Sequence, residues 1–189
     1  MIGQAYTNCV QLAKMRAPSR WISRVEKYVK KILEANVYDV AIQTPLEIAP
    51  LLSSRTGSEV LLKREDMQPV FSFKIRGAYN KISRLTPKAR KKGVITASAG
   101  NHAQGVAMAA TRLGIRSRIV MGENTPSIKV EAVKAFGGEV ILHGDSYDEA
   151  AAFALKEATR TGETYIHPFD DADVIAGQGT IGMEIMRQY

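Results

Sequence analysis

The feature that most restricts this chain begins at Gly93, where a strand, a turn and a helix recur roughly every 21–24 residues, the spacing of parallel βα units. Four short runs read as strands: Val94-Ile95-Thr96-Ala97, Arg118-Ile119-Val120-Met121, Glu139-Val140-Ile141-Leu142 and Thr164-Tyr165-Ile166. Several are almost continuously apolar, as strands covered on both faces must be. Helices are expected between them. One is carried by a stripe of Val106, Ala109, Ala110 and Leu113 ending at Gly114, another by Ile128, Ala132, Ala135 and Phe136 ending at Gly137-Gly138. Thr125-Pro126 reads as an N-cap followed by proline at the first helical position. Ser146-Tyr147-Asp148-Glu149 reads as a capping box before Ala150, Ala151 and Ala154. The expected fold class is therefore α/β, with a doubly wound parallel sheet.

Composition narrows the function classes. With 189 residues, 45% apolar and 24% charged, the chain has the balance of a globular protein with room for a sizeable core. No apolar run approaches the roughly 18 residues of a membrane span. One cysteine, Cys9, excludes an intrachain disulfide scaffold and a CxxC site, which suits a reducing compartment and a cytoplasmic location. The net charge of +7 is unevenly laid out. Residues 1–66 hold ten basic against seven acidic side chains, residues 67–122 eleven against none, and residues 123–189 five against twelve. A nucleic-acid surface would interleave basic and stacking residues, whereas Phe71, Phe73 and Tyr79 precede the densest charge, Lys88, Arg90, Lys91 and Lys92. A positive field around a small anion, or a solvated basic helix, suits the pattern better.

At the amino terminus Lys14, Arg16, Arg20 and Arg24 occur without an acid, a superficial likeness to an organelle transit peptide. From Ser19 onward, however, Trp21, Val25, Tyr28, Val29 and Ile32 recur at helical spacing opposite Lys27, Lys30 and Lys31, which reads as an amphipathic helix docked on a core.

Ligands of doubly wound sheets bind beyond the carboxyl ends of the strands, where loops lead into helix amino termini. That rule selects Ser98-Ala99-Gly100-Asn101-His102, which follows the first strand of the repeat and offers a glycine, a hydroxyl, an amide and an imidazole at the mouth of a helix. The segment is read as an anion site, or as one in which Ser98 or Asn101 simply caps the helix. A literal G-x-G-x-x-G at Gly177-Gln178-Gly179-Thr180-Ile181-Gly182 lacks a convincing preceding strand, so its glycines are read as marking the start of a helix. His143 and His167 have no partners at metal-ligand spacing.

Lys74 lies between Phe71, Phe73 and Ile75, with Arg76 as a nearby cation. Desolvation and like charge both lower a lysine pKa and make its amine a nucleophile.

Ser72-Phe73-Lys74-Ile75-Arg76-Gly77-Ala78, followed by Ser98-Ala99-Gly100-Asn101-His102-Ala103-Gln104-Gly105, resembles the fold-type II pyridoxal-phosphate enzymes, of tryptophan synthase β-like fold, and within them the biosynthetic threonine dehydratases. The likeness continues through Thr44-Pro45-Leu46-Glu47, Lys63-Arg64-Glu65-Asp66, Phe136-Gly137-Gly138-Glu139-Val140 and Val174-Ile175-Ala176-Gly177-Gln178-Gly179-Thr180, over about residues 25–189. Ile75 after the lysine suits dehydratases and serine racemases, where cysteine and threonine synthases usually have aspartate. Met121-Gly122-Glu123 departs from the Met-Pro usual after that strand.

By this resemblance Lys74 would hold the aldehyde of pyridoxal 5'-phosphate, Phe73 would pack on its ring and Asn101 would bond its phenolic oxygen. The loop Ser98, Ala99, Gly100, Asn101 and His102 would receive the substrate carboxylate. The implied reaction is dehydration and deamination of L-threonine to 2-oxobutanoate and ammonia, the first step of isoleucine synthesis. Serine racemase or a broad serine/threonine dehydratase is the alternative, and a non-catalytic relative acting through another subunit is a third reading. The implied layout is an extension at 1–22, the start of a large subdomain at 23–85, a small subdomain at 86–165 and a return into the large one at 166–189. The family's glycine-rich phosphate loop and regulatory domain are expected past Tyr189, making the chain an incomplete fragment inactive alone, and the intact protein a homo-oligomer with no nucleic-acid or membrane partner.

Overall fold

The computed structural model describes residues 19–189. Its centre is a parallel sheet of β3 (Val94–Ala97), β4 (Ser117–Met121), β5 (Glu139–Leu142) and β6 (Thr164–Tyr165), in the order β5-β4-β3-β6. All four expected strands are present, with changes only at their ends. Thr96 lies opposite Ile119, and Ile119 opposite Val140. Every residue of β3 and β4 is buried. Alternation along β3 sends Val94 to one face, with Ile119, Ala103, Val106 and Val133, and Ile95 and Ala97 to the other, with Val120, Ala150 and Ala154. Helices α5 (Asn101–Arg112) and α6 (Ser127–Ala135) cover the first face and α7 (Tyr147–Thr161) the second. The sheet is thus doubly wound. Because the chain returns after α7 to pair β6 with the free side of β3, strand order reverses at β3 and leaves a crevice between the carboxyl ends of β3 and β6.

Around this unit lie α1 (Ser19–Leu33), an antiparallel pair of β1 (Leu46–Ile48) and β2 (Leu61–Lys63) linked by α2 (Pro50–Thr56), then α3 (Lys74–Ser83), α4 (Pro87–Lys92) and the closing α8 (Ala172–Gln188). Helix α3 is packed between α5 and α8.

Four local expectations change. Helix α1 forms from Ser19, but Val25 and Val29 remain 44% exposed, so it docks through the half-buried Tyr28 and Ile32, the latter filling the space above Gly179. The side chain of Trp21 and the basic residues of 1–18 lie outside the described residues. Helix α6 begins one residue late, with Pro126 itself at the N-cap and no side-chain cap from Thr125. Its buried side is Val130 and Val133, while Ile128 is 77% exposed. Apolar side chains fall on more than one face of this helix, and contact with the sheet selects between them. Ser146 caps α7 by accepting from the Glu149 amide at 3.2 Å, but the Glu149 carboxylate reaches back to the amide of Asp145 at 2.6 Å, one residue earlier than a capping box requires. The glycines of Gly177–Gly182 stand in the middle of α8 rather than at its start. A Cβ on Gly177 would lie 2.5 Å from the Arg76 carbonyl oxygen and 2.7 Å from the Gly77 Cα, so glycine here permits α8 to cross α3 at backbone contact.

The charge asymmetry along the sequence is compensated in space at its buried and half-buried members. Arg76, Lys81 and Arg118 of the acid-free block pair with Glu65 and Glu184, with Asp171, and with Glu157 and Glu163 respectively. Among the described residues no helix is long and apolar enough to cross a membrane, and no group of three or more His, Cys, Asp or Glu side chains is placed to hold a metal ion.

Candidate active site

Lys74 is the first residue of α3, following a turn in which Phe71 adopts φ +54° and its amide donates to the Gln68 carbonyl at 2.7 Å. A left-handed backbone is uncommon for a bulky residue and directs the chain sharply into the helix. The Ser72 hydroxyl then accepts from the Lys74 amide at 3.3 Å. The side chain of Lys74 runs into the crevice at the switch point, where Nζ donates to the Pro168 carbonyl at 2.8 Å and stands 5.3 Å from the centre of the Phe73 ring. Burial holds its pKa below the ordinary lysine value, and among the described residues no carboxylate pairs with it. Arg76, expected to act on Lys74 as a neighbouring cation, has a different task. It is fully buried, with its guanidinium bonded to Glu65, Glu184, Thr180 and the Ile42 carbonyl. Desolvation alone therefore makes the Lys74 amine more available.

The Ser98 loop follows the carboxyl end of β3 and leads into α5. The Ser98 amide continues the sheet by donating to the Val120 carbonyl at 3.0 Å, and its hydroxyl accepts from the Gly100 amide at 3.2 Å. Gly100 is the N-cap of α5 without a side-chain cap bond, and Asn101, the first helical residue, is exposed. Neither Ser98 nor Asn101 caps the helix. The first-turn N–H groups of α5 thus present a positive dipole end at the mouth of the crevice. Ala99 and Gly100 are half-buried, and Ser98 and Ala99 also border a cavity of 100 Å³ beside Met121, Asn124, Thr125 and Tyr147.

His102 is buried beneath that mouth, close enough to Lys74 for the lysine charge to add to what burial does in lowering its pKa. Its ring is 3% exposed, its Nε2 meets the Ile166 carbonyl at 3.1 Å, and burial, opposed in part by that bond, lowers its pKa to about 4. The imidazole is neutral at pH 7, so what His102 offers an anion in the crevice is its backbone N–H. Two participants were not legible as site residues. Pro168 follows β6 and supplies the carbonyl for Lys74, and the topological rule pointing to β3 also points to β6, its neighbour across the switch point. Gly105 lies on α5 where a Cβ would stand 3.1 Å from the Lys74 carbonyl carbon and 3.2 Å from the Ile75 nitrogen.

A partly desolvated amine without a carboxylate partner, held by a carbonyl at the switch point where α5 also begins, can condense with an aldehyde beside an anion. The donor set present fits the aldehyde end of pyridoxal phosphate.

A doubly wound sheet with such a lysine at its switch point defines a cofactor-dependent enzyme class, and the chain belongs to the pyridoxal-phosphate dependent enzyme family, whose profile matches residues 37–189. Its relatives are more particular. Threonine dehydratase 1 biosynthetic, chloroplastic, from Solanum lycopersicum is 60% identical over 162 residues, which are 86% of this chain and 27% of that protein. The L-threonine dehydratase biosynthetic IlvA of Escherichia coli strain K12 is 52% identical over 162 residues, 86% of this chain and 32% of that one. The solved processed form of threonine deaminase isoform 2 from Solanum lycopersicum superposes with a TM-score of 0.86 at 54% identity, covering 92% of this chain and 47% of its own. Maize serine racemase gives 0.80 at 36%, covering 84% and 49%. The chain thus spans about a third of the curated relatives and about half of these solved chains.

Proposed function

We propose that this chain serves the pyridoxal-phosphate-dependent conversion of L-threonine to 2-oxobutanoate and ammonia. The observation that carries the reading is the Lys74 amine, desolvated and bonded to the Pro168 carbonyl, on a helix whose first residue packs against Gly105 of α5. When bound, the cofactor supplies an electron sink for charge developing at the substrate Cα. Lys74 is the residue that would hold its aldehyde, and its Nζ is the group that would take the Cα proton. Burial raises the uncharged share of that amine, and the Pro168 carbonyl receives one of its N–H bonds and so helps to aim the lone pair. The Ser98 loop and the first amides of α5 hold the substrate carboxylate, which fixes the direction of the Cα–H bond. Phe73 packs beside the amine, and Asn101, exposed at the start of α5, would meet the cofactor ring oxygen.

The test places residues 37–189 in the tomato dehydratase in exchange for the matching segment and measures 2-oxobutanoate formed from threonine. Turnover that disappears in Lys74→Ala supports the reading. A chimera that retains cofactor yet forms no 2-oxobutanoate sinks it. The likeness to maize serine racemase supports a second reading, action on serine, and a chiral assay for D-serine on the same chimera separates the two. A homo-oligomer and a reducing compartment, the cytoplasm, belong to the proposal; the single cysteine supports the latter, while the plant relatives are named as chloroplastic.

A further inference from the structure

Glycine in a helix interior is destabilising relative to alanine, so its presence there asks for a packing reason. Gly105 lies in the second turn of α5, four residues after Asn101 and therefore on the same face of the helix. That face abuts the start of α3. A Cβ on Gly105 would come within 3.1 Å of the Lys74 carbonyl carbon and 3.2 Å of both the Lys74 oxygen and the Ile75 nitrogen. All three are backbone atoms, which no rotamer change can move aside.

Helix α3 has no room to retreat. On its far side Gly77 and Gly177 bring α8 to backbone contact, with a Cβ on Gly77 only 2.8 Å from the Val174 carbonyl oxygen. Charged contacts lock the same pair of helices at both ends, Arg76 to Glu184 at 2.6 Å and Lys81 to Asp171 at 2.6 Å. Lys74 is thus carried on a helix held from two sides, and its separation from Asn101 and the loop amides is set where α5 meets α3.

We infer that Gly105 is a positioning residue whose missing side chain fixes the distance between the Lys74 amine and the anion-binding start of α5. The inference rests on the reading of Lys74 as the cofactor lysine. A methyl group at 105 forces the two helices apart by a few tenths of an ångström, and since a misplacement of about 1 Å costs about a hundredfold in rate, such a shift costs up to about tenfold. Ligands that touch Lys74 alone are indifferent to that shift, whereas a ligand spanning Lys74 and α5 is not.

The experiment uses the chain as it stands. Wild type, Gly105→Ala and Gly182→Ala, a glycine with nothing within 4 Å of its Cβ position, are incubated with pyridoxal phosphate or with formaldehyde, reduced with borohydride and mapped for label on Lys74. In Gly105→Ala the pyridoxal phosphate needed for half-labelling rises about tenfold, while labelling by formaldehyde, which meets only the amine, is unchanged; Gly182→Ala matches wild type in both. In the chimera, kcat falls about tenfold with KM for threonine within about twofold of the parent. Equal pyridoxal-phosphate labelling of Gly105→Ala and wild type overturns the inference, and so does a parallel loss with both reagents, which marks a merely structural role. Absence of label on Lys74 in the wild type overturns the cofactor reading itself, and the inference with it. If Gly105→Ala does not fold, a crystal structure of the loaded wild type decides: Gly105 Cα in contact with the Lys74 backbone upholds the spacing role, and a separated α5 refutes it.

Discussion

Acid titration of folding stability, run on the wild type and on His102→Gln, isolates the buried imidazole. His102 is 3% exposed and its pKa is pushed down to about 4 from 6.5, chiefly by burial. The unfolded chain therefore takes up the proton first. The stability that neutral His102 contributes is complete above pH 6.5 and is lost as the pH falls towards 4. At about 1.4 kcal/mol per pH unit, the gap between the two values corresponds to about 3 kcal/mol, nearly all of it lost between pH 7 and pH 4. Glutamine keeps a neutral donor within reach of the Ile166 carbonyl but cannot take up the proton, so its own stability has no matching decline. Urea unfolding at several pH values gives the two curves, and their difference removes the carboxylates, such as Glu184, that titrate in both proteins. A difference flat to within about 1 kcal/mol, or an imidazole resonance titrating near 6.5, would show that the ring is solvated and that the seam between α5 and β6 is open.

Three other outcomes follow from the same contacts. Arg76→Ala strips the cation from two carboxylates, the Glu184 side chain being only 2% exposed, and breaking such a buried pair costs about 3–5 kcal/mol; a loss below about 1 kcal/mol in urea unfolding contradicts the buried network. Reductive methylation of Lys74 followed against pH has its midpoint below 10.5, because burial disfavours the ammonium, whereas a midpoint shared with exposed lysines places the amine in water. In the chimera, Asn101→Ala shifts the cofactor absorbance while Ser98→Ala, which also removes the acceptor for the Gly100 amide, lowers threonine turnover at least about tenfold; unchanged spectra and kinetics in both remove the loop from the site.

What the sequence alone determined was local. Side chains alternate along a strand and recur every turn of a helix, so β3 to β6 and the run of α5 were legible from residues adjacent in the chain. The Ser98 loop was legible for the same reason, since its place after a strand and before a helix is a matter of order. Lys74 stood out through its motif, and its desolvation was the right expectation with the wrong second cause. Only the folded chain decides what Arg76 does, because Glu184 is 108 residues away and nothing beside Arg76 distinguishes a buried guanidinium from a solvated one. The Pro168 carbonyl that receives Lys74 is 94 residues distant and is a backbone atom, which no side-chain pattern announces. The glycines of α8 and Gly105 belong to the same class. A glycine that permits two helices to touch is identical in sequence to one that ends a helix, and the distinction exists only once the facing backbone is in place. Likewise the imidazole of His102 is buried because a contact with the Ile166 carbonyl, between residues 64 positions apart, selects the direction in which the ring turns.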